Sequence, residues 1–575
     1  MSRFRHCLLS VLVFPLVFGY GQPALAGAEP ANIVLRNGQV YTVDDRLPWA
    51  QAVAVRDGVI VAVGDDEAVA PYLGPTTRVL DLDGKFVMPG LHDAHLHMQL
   101  VVDLQENLRL DAYQPWDRIE EAIAEYARAH PDRAWIYGAS LPWLSDVIGD
   151  FSDVPAHKSV LDRIVPDRPV AIRDIGGHAM LVNSQALEMA GIHADTPNPT
   201  GGMIERDANG QATGVLRELA IHVVTESMDG LSVEQYEAGL PQAVAQLNAV
   251  GITSVHEVWT HTTALQALKR LDEANRLSLR VTAAITHPAD FVTPSAKDDA
   301  RQTIHNRERY RGKRLKPDYV KFILDGAVNR TAAMLEPYQG TDFRGHTRDP
   351  IDVVMAEVSR LHGLGLGSVL HAVGDRAVRI ALDAVEQAIA SHGPNGVRHA
   401  VAHTVFVNPA DRDRFARLGV IAEFSPYFWW PNAVIDSYRA EVGEQRLAWV
   451  WAIKDMVDRG VSVAAGSDWP VVYSPNPFPA IEAMVTRREP GGGSVSFHPE
   501  QAITLEQALK IFTLGGAFAL YQEDVTGSIE VGKYADLVVL DRHLFSIPIT
   551  EVGTVRVLQT WLEGELVFDR TSRDS

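Results

Sequence analysis

Through the middle of the chain, short apolar runs that end in polar residues alternate with stretches of helical periodicity, as at 376–390, 409–418 and 504–520. This is the pattern of βα units wound round a parallel sheet. Buried strands are expected to begin near residues 87, 134, 169, 251, 279, 318, 366, 398, 419 and 461. A closed (β/α)8 barrel uses eight strands, so the runs near 134 and 169 are assigned to an insertion. That insertion, about residues 98–245, is expected to sit as a lid over the C-terminal mouth.

The two ends of the chain have a different character. Residues 32–43 and 52–63 are β-rich, with hairpin dipeptides at Asn37-Gly38 and Asp57-Gly58. Residues 535–541 and 552–569 repeat this character, with a turn at Glu563-Gly564. The ends therefore read as two halves, 27–86 and 525–575, of one small β-sandwich domain, and the barrel, 87–524, lies between them. The expected fold class is α/β: a TIM barrel, a β-sandwich formed by both chain ends, and a lid-like insertion after strand 1.

Before all this, Arg3, Arg5 and His6 precede an apolar run from residue 7 to residue 20, and Ala24-Leu25-Ala26 supplies small residues for cleavage. The run is shorter than the roughly 20 residues that cross a bilayer and contains Pro15. A signal peptide over residues 1–26 is expected, giving an exported, periplasmic protein with no stable membrane insertion after cleavage. The single cysteine, Cys7, lies inside it, so thiol chemistry is excluded from the mature chain. With 46% hydrophobic and 22% charged residues the full chain is an ordinary globular protein, not a disordered one. Its 52 Lys and Arg against 73 Asp and Glu, a net charge of −21, argue against nucleic acid and for a small-molecule partner. The sequence leaves homo-oligomerisation open.

Candidate chemistry sits at strand ends. In residues 89–97 His95 and His97 stand at i and i+2 and so share a strand face, presenting two imidazoles that make a metal half-site. Lys321 lies inside an apolar run before Asp325-Gly326. A buried lysine needs a partner; it is either ion-paired to Asp325 or carbamylated by carbon dioxide, giving an anionic bridge for two metals. His371 and His403 each end an apolar strand, where barrel enzymes build their sites. Asp468, in residues 466–470, is either a helix cap or a carboxylate at the mouth of strand 8 able to bind metal and shuttle a proton. Tyr427 and Trp429 belong to an aromatic run after strand 7 that either packs the lid or lines the pocket for an apolar group.

These strings, with residues 176–183, 201–218, 371–377 and 527–537, resemble the amidohydrolase superfamily, in its YtcJ-like (amidohydrolase family 3) branch. The resemblance runs over nearly the whole mature chain. It implies a centre of one or two divalent ions, usually zinc, hydrolysing C–N bonds of amides, formamides or N-acyl compounds. It further implies that His95, His97 and Asp468 hold the more buried metal, His371 and His403 the more exposed one, and Lys321 both. His178, after its Gly-Gly approach, would contact substrate or the oxyanion. A divalent ion lowers the pKa of bound water from near 16 toward roughly 7, which is why such a site makes a hydroxide nucleophile at neutral pH.

Some positions depart from relatives: Ala402 stands where many have Glu before the strand-6 histidine, and is expected to face away from the site; Ser425 stands where many have Gln. Ester or lactone hydrolysis and metal-assisted isomerisation use the same residues. A non-catalytic regulatory protein would be expected to have lost some of the metal set, and all six ligands are present.

Overall fold

The computed structural model describes residues 28–110, 114–141, 156–174, 177–199, 201–326 and 330–570; the expected signal peptide lies outside them. Its centre is one eight-stranded sheet, β1 (Leu91–Leu96), β2 (Ile252–Thr260), β3 (Arg280–Thr286), β4 (Leu315–Ile323), β5 (Gly367–His371), β6 (Ala400–Ala402), β7 (Ile421–Phe424) and β8 (Val463–Ala465), paired in sequence order. Neighbours run parallel, as βαβ crossovers require. Both faces are covered, which is why the strands read as almost unbroken apolar runs. The helices between them, such as Asp375–His392 with Ala377, Val378, Ala381 and Val385 buried, pack the outer face.

β1 and β8 close the ring without a ladder. Instead the Asp468 amide donates to the His95 carbonyl at 2.7 Å, the His97 amide to the Trp469 carbonyl at 2.8 Å, and the Ser467 amide to the Asp93 carboxylate at 2.9 Å. Gly466 permits this approach, since a Cβ there would lie 2.3 Å from the His95 nitrogen. The two strands carrying the His-x-His pair and Asp468 thus meet at this seam.

The runs near 134 and 169 form strands Ile136–Leu141 and Val170–Asp174 of a separate six-stranded sheet built from residues 108–218, between β1 and β2. After a short helix, Ala220–Thr225, the longer helix Val233–Asn248 returns to the barrel and buries Tyr236, Leu240, Val244 and Leu247 in its core. No helix among the described residues is long and apolar enough to cross a membrane.

The run near 87 divides at Gly90. Phe86–Pro89 pairs antiparallel with Leu537–Leu540, so both chain ends share one six-stranded sheet, which faces a four-stranded sheet from residues 33–81 across Leu35, Val53, Val55, Val87, Leu537 and Trp561. Asp57-Gly58 and Glu563-Gly564 turn hairpins. Asn37-Gly38 does not: Ile33–Arg36 and Gln39–Tyr41 lie in different sheets, and the dipeptide carries the chain from one to the other.

Glu563 fastens these sheets to the barrel. Its carboxylate accepts from Arg280, Arg314 and Lys313 at 2.9–3.0 Å. Burial works to raise its pKa, but these cations outweigh it and hold the group down at about 2, from an ordinary 4.5. The stabilisation is therefore complete above about pH 4.5 and is lost as pH falls toward 2. We expect Glu563→Gln to cost about 3 kcal/mol at pH 7, and the gap between variant and wild type to shrink below pH 4 in denaturant titrations. A constant gap across that range would refute this account.

Candidate metal centre

Three departures from regular strand geometry aim the donors. On β1, Asp93 pairs with Val255 but Leu96 with Glu257, so β1 carries one extra residue and a bulge re-aims His95. On β6 alternation ends at Ala402, and His403 and Thr404 take the left-handed region (φ 69° and 42°). Asp468 is left-handed too (φ 63°), held there by the seam hydrogen bond. Such backbone is costly for non-glycine residues and persists only where the surroundings enforce it. Ala402 consequently does not face away as alternation predicted. It is in register with His371 and packs among Val258, Ala284, Tyr319 and Val369.

His95, His97 and Asp468 form one group whose ligand atoms lie within 4.8 Å of one another. His97 Nδ1 donates to the Val258 carbonyl at 2.5 Å, a partner that can only accept. His95 Nδ1 faces the Glu423 carboxylate at 3.0 Å. Both imidazoles therefore present Nε2 lone pairs inward, where His97 Nε2 stands 3.1 Å from Asp468 Oδ1 and His95 Nε2 3.8 Å from it. Two acceptors facing each other in a buried site repel unless a cation lies between them. These residues make a divalent-metal site.

The other predicted residues gather beside it. The His403 ring lies 4.7 Å from that of His95 and 4.6 Å from that of His371. Burial, then neighbouring cations, holds His95 and His371 well below the usual imidazole range; burial puts His403 at about 4. All three are neutral, the form that ligates metal, and the buried His371 Nε2 has no hydrogen-bond partner. Lys321 Nζ stands 3.3 Å from His95 Nε2. Burial lowers this amine to about 8 against the pull of Glu423 and Asp468. The ion pair with Asp325 does not form: that carboxylate accepts backbone N–H groups from Ala333, Val373 and Gly374. Asp468 is held below its ordinary value: burial opposes ionisation, and the Lys321 amine is among the groups that outweigh it.

His178 lines the same cleft, its Nδ1 3.0 Å from Glu218. Burial opposes its charge, yet Glu218 pushes it up to about 9. The structure places neither aromatic candidate on the cleft. Trp429 is fully buried, stacked on Trp451 at 5.5 Å beneath the Arg487 guanidinium, and Tyr427 bonds the Pro475 carbonyl. The strand-7 run packs the barrel wall because the segment after β7 folds back against Trp451 rather than over the mouth.

One functional residue escaped the sequence reading. Glu423, 1% exposed in the middle of β7, orients His95 and lies 3.7 Å from His256. A carboxylate in an apolar strand, Ile421–Phe424, was the available signal. It fixes the tautomer and basicity of His95. We expect Glu423→Gln to weaken metal affinity by about 10- to 100-fold in competition with a chromogenic chelator; unchanged affinity would assign Glu423 to packing alone.

Comparison with known proteins agrees with this construction. The chain is 28% identical over 552 residues to YtcJ of Bacillus subtilis (strain 168), covering 94% of this chain and 99% of that one. It is 28% identical over 556 residues to the N-substituted formamide deformylase of Arthrobacter pascens, again 94% and 99%. A metal-dependent hydrolase from Pyrococcus horikoshii OT3 superposes with a TM-score of 0.70 at 25% identity, over 90% of this chain and 99% of that one. The profile described as the amidohydrolase family matches residues 78–568, a span that holds every barrel strand and each donor described above. The protein is a metal-dependent hydrolase of small substrates, and the chain belongs to the amidohydrolase family.

Proposed function

We propose that the protein hydrolyses a C–N bond of a small amide, formamide or N-acyl compound. The observation that carries this reading is the inward pair of Nε2 lone pairs facing Asp468, with Lys321, His371 and His403 alongside. His95, His97 and Asp468 would hold one divalent ion, zinc by preference for this N/O donor set, and His371 and His403 a second. Lys321 would bridge after its neutral amine adds to carbon dioxide and loses a proton, giving a carbamate. Such ions supply a water nucleophile ionised at neutral pH and polarise the scissile carbonyl.

The chain's own groups do the rest. Asp468, ionised, accepts the proton of the attacking water and passes it to the leaving nitrogen, which would otherwise depart as a poor amide anion. His178, held protonated by Glu218, donates to the carbonyl oxygen as negative charge develops there. The Arthrobacter relative is an N-substituted formamide deformylase, and removal of a formyl group from such a compound is a reaction of this class. Export to the periplasm completes the reading, supported by the composition of residues 1–26.

The test is a panel of formamides, acetamides, esters and lactones offered to the chelated protein and to the protein reconstituted with zinc. Amide cleavage that requires metal, and exceeds ester cleavage relative to the uncatalysed rates, is the expected result. Metal-dependent ester cleavage with inert amides would overturn it.

A further inference from the structure

The cleft holding the metal donors, about 180 Å³, opens beside a second cavity of about 620 Å³ between the insertion and the barrel. The two share Leu100, Arg173, His222 and Trp259. Trp259 reaches this junction on a left-handed backbone (φ 86°), an arrangement costly for so bulky a residue. Its ring lies 6.4 Å from that of His97. The larger cavity is of the size that encloses an organic group, and Trp135, Tyr137 and Phe291 give it an aromatic lining.

Arg173, at the end of strand Val170–Asp174, is 9% exposed. Its Nε is buried without a hydrogen-bond partner, and among the described residues its guanidinium has no hydrogen bond or ion pair. A buried guanidinium without an acceptor is among the most expensive groups a protein can keep. The nearby acids do not relieve it, because each is engaged elsewhere. Asp103 accepts from the Tyr236 hydroxyl at 2.7 Å, and Asp174 from the Ala179 amide at 3.0 Å. Glu218 holds His178, and Glu226 accepts from the Val292 and Thr293 amides at 2.6 and 2.7 Å. Asp229, on the cavity's outer rim, is exposed. The second guanidinium of the cleft, Arg348, does have a carboxylate, Asp290 at 3.5 Å. Arg173 therefore stands at the junction as a fork of donors awaiting an anion.

We propose that Arg173 binds a carboxylate of the substrate, so that the amides cleaved are N-acylamino acids with a small acyl group. Resting on the hydrolase reading above, this places the scissile bond at the metal donors, the carboxylate on Arg173, and the amino-acid side chain in the aromatic cavity. An arginine fork recognises a planar carboxylate through two parallel hydrogen bonds, and a site with a buried donor rejects an analogue that leaves the donor unpaired.

The experiment uses zinc-reconstituted wild type, Arg173→Met and Arg173→Lys. Rates are compared for N-acetylphenylalanine and for N-acetylphenethylamine, which lacks only the carboxylate. Binding of 3-phenylpropionate and of 3-phenylpropionamide is measured by calorimetry. We expect wild type to favour the carboxylate substrate by about 100-fold or more in kcat/KM. Arg173→Met should reduce that preference to about threefold or less, raising KM for the carboxylate substrate and lowering it for the neutral amide that no longer leaves a buried donor unpaired, and weaken 3-phenylpropionate about tenfold or more. Arg173→Lys should restore part of both. A preference that survives in Arg173→Met, or equal binding of 3-phenylpropionate by both proteins, would overturn the proposal. If Arg173-dependent binding is found and no amide is cleaved, the carboxylate site stands and the hydrolase reading falls. If amides are cleaved with no carboxylate preference and no Arg173-dependent binding, the converse holds.

Discussion

Asp468→Asn is expected to lower kcat by about 10³, the range in which a positioned proton acceptor operates. The amide is isosteric and would keep the left-handed backbone in place, since the seam hydrogen bond uses the main-chain nitrogen of residue 468. What it loses is charge. The wild-type carboxylate faces the Nε2 atoms of two imidazoles, a donor set that a divalent cation completes, and the neutral amide would attract that cation more weakly. The variant should therefore lose both proton transfer and part of its metal. Measuring kcat at saturating zinc, with bound metal counted on the same sample, separates the two. A variant within about tenfold of wild type at full occupancy would remove Asp468 from the proton path.

The second large effect is expected at Lys321. In wild type purified without chelator we expect about two equivalents of divalent metal, falling to one or fewer in Lys321→Ala, with activity lost in parallel. The reason is geometric: the amine approaches His95 Nε2 rather than Asp325, so the group is directed at the donors and not consumed in an internal ion pair. A short carboxylate such as propionate, entering the space left by the truncated side chain, should restore part of the activity. Two metals in the variant, or an active enzyme with one metal throughout, would sink the bridge and leave a single-ion site with an unmodified lysine.

Much of this arrangement was legible because it consists of polar residues interrupting apolar strands. His371, His403, Lys321 and the His-x-His pair each break a run that should otherwise be wholly hydrophobic, and each strand lies near where the apolar pattern puts it. Glu423 breaks its run in the same way, and its signal was available. What the pattern does not carry is the exception to period two. The bulge of β1 and the left-handed turn at His403 arise from how neighbouring strands meet, so Ala402 was assigned to the wrong face. Trp429 illustrates the same limit: an aromatic beyond a strand end is equally suited to a pocket or a wall, and a packing partner 22 residues on, Trp451, decides between them. Arg173 is invisible for the opposite reason, since what marks it is a buried Nε for which the described residues supply no acceptor, and a sequence does not show that.

The seam between β1 and β8 also orders events in time. During synthesis residues 95 and 97 emerge early, while their counterpart at 468 follows only after every other barrel strand has been made. Nothing earlier in the chain can complete the three-donor group, so the ion can be captured at full affinity only once the last strand has docked on the first. Metal affinity is thereby tied to closure of the ring: a barrel whose last strand has not joined its first would offer the His95–His97 pair without Asp468.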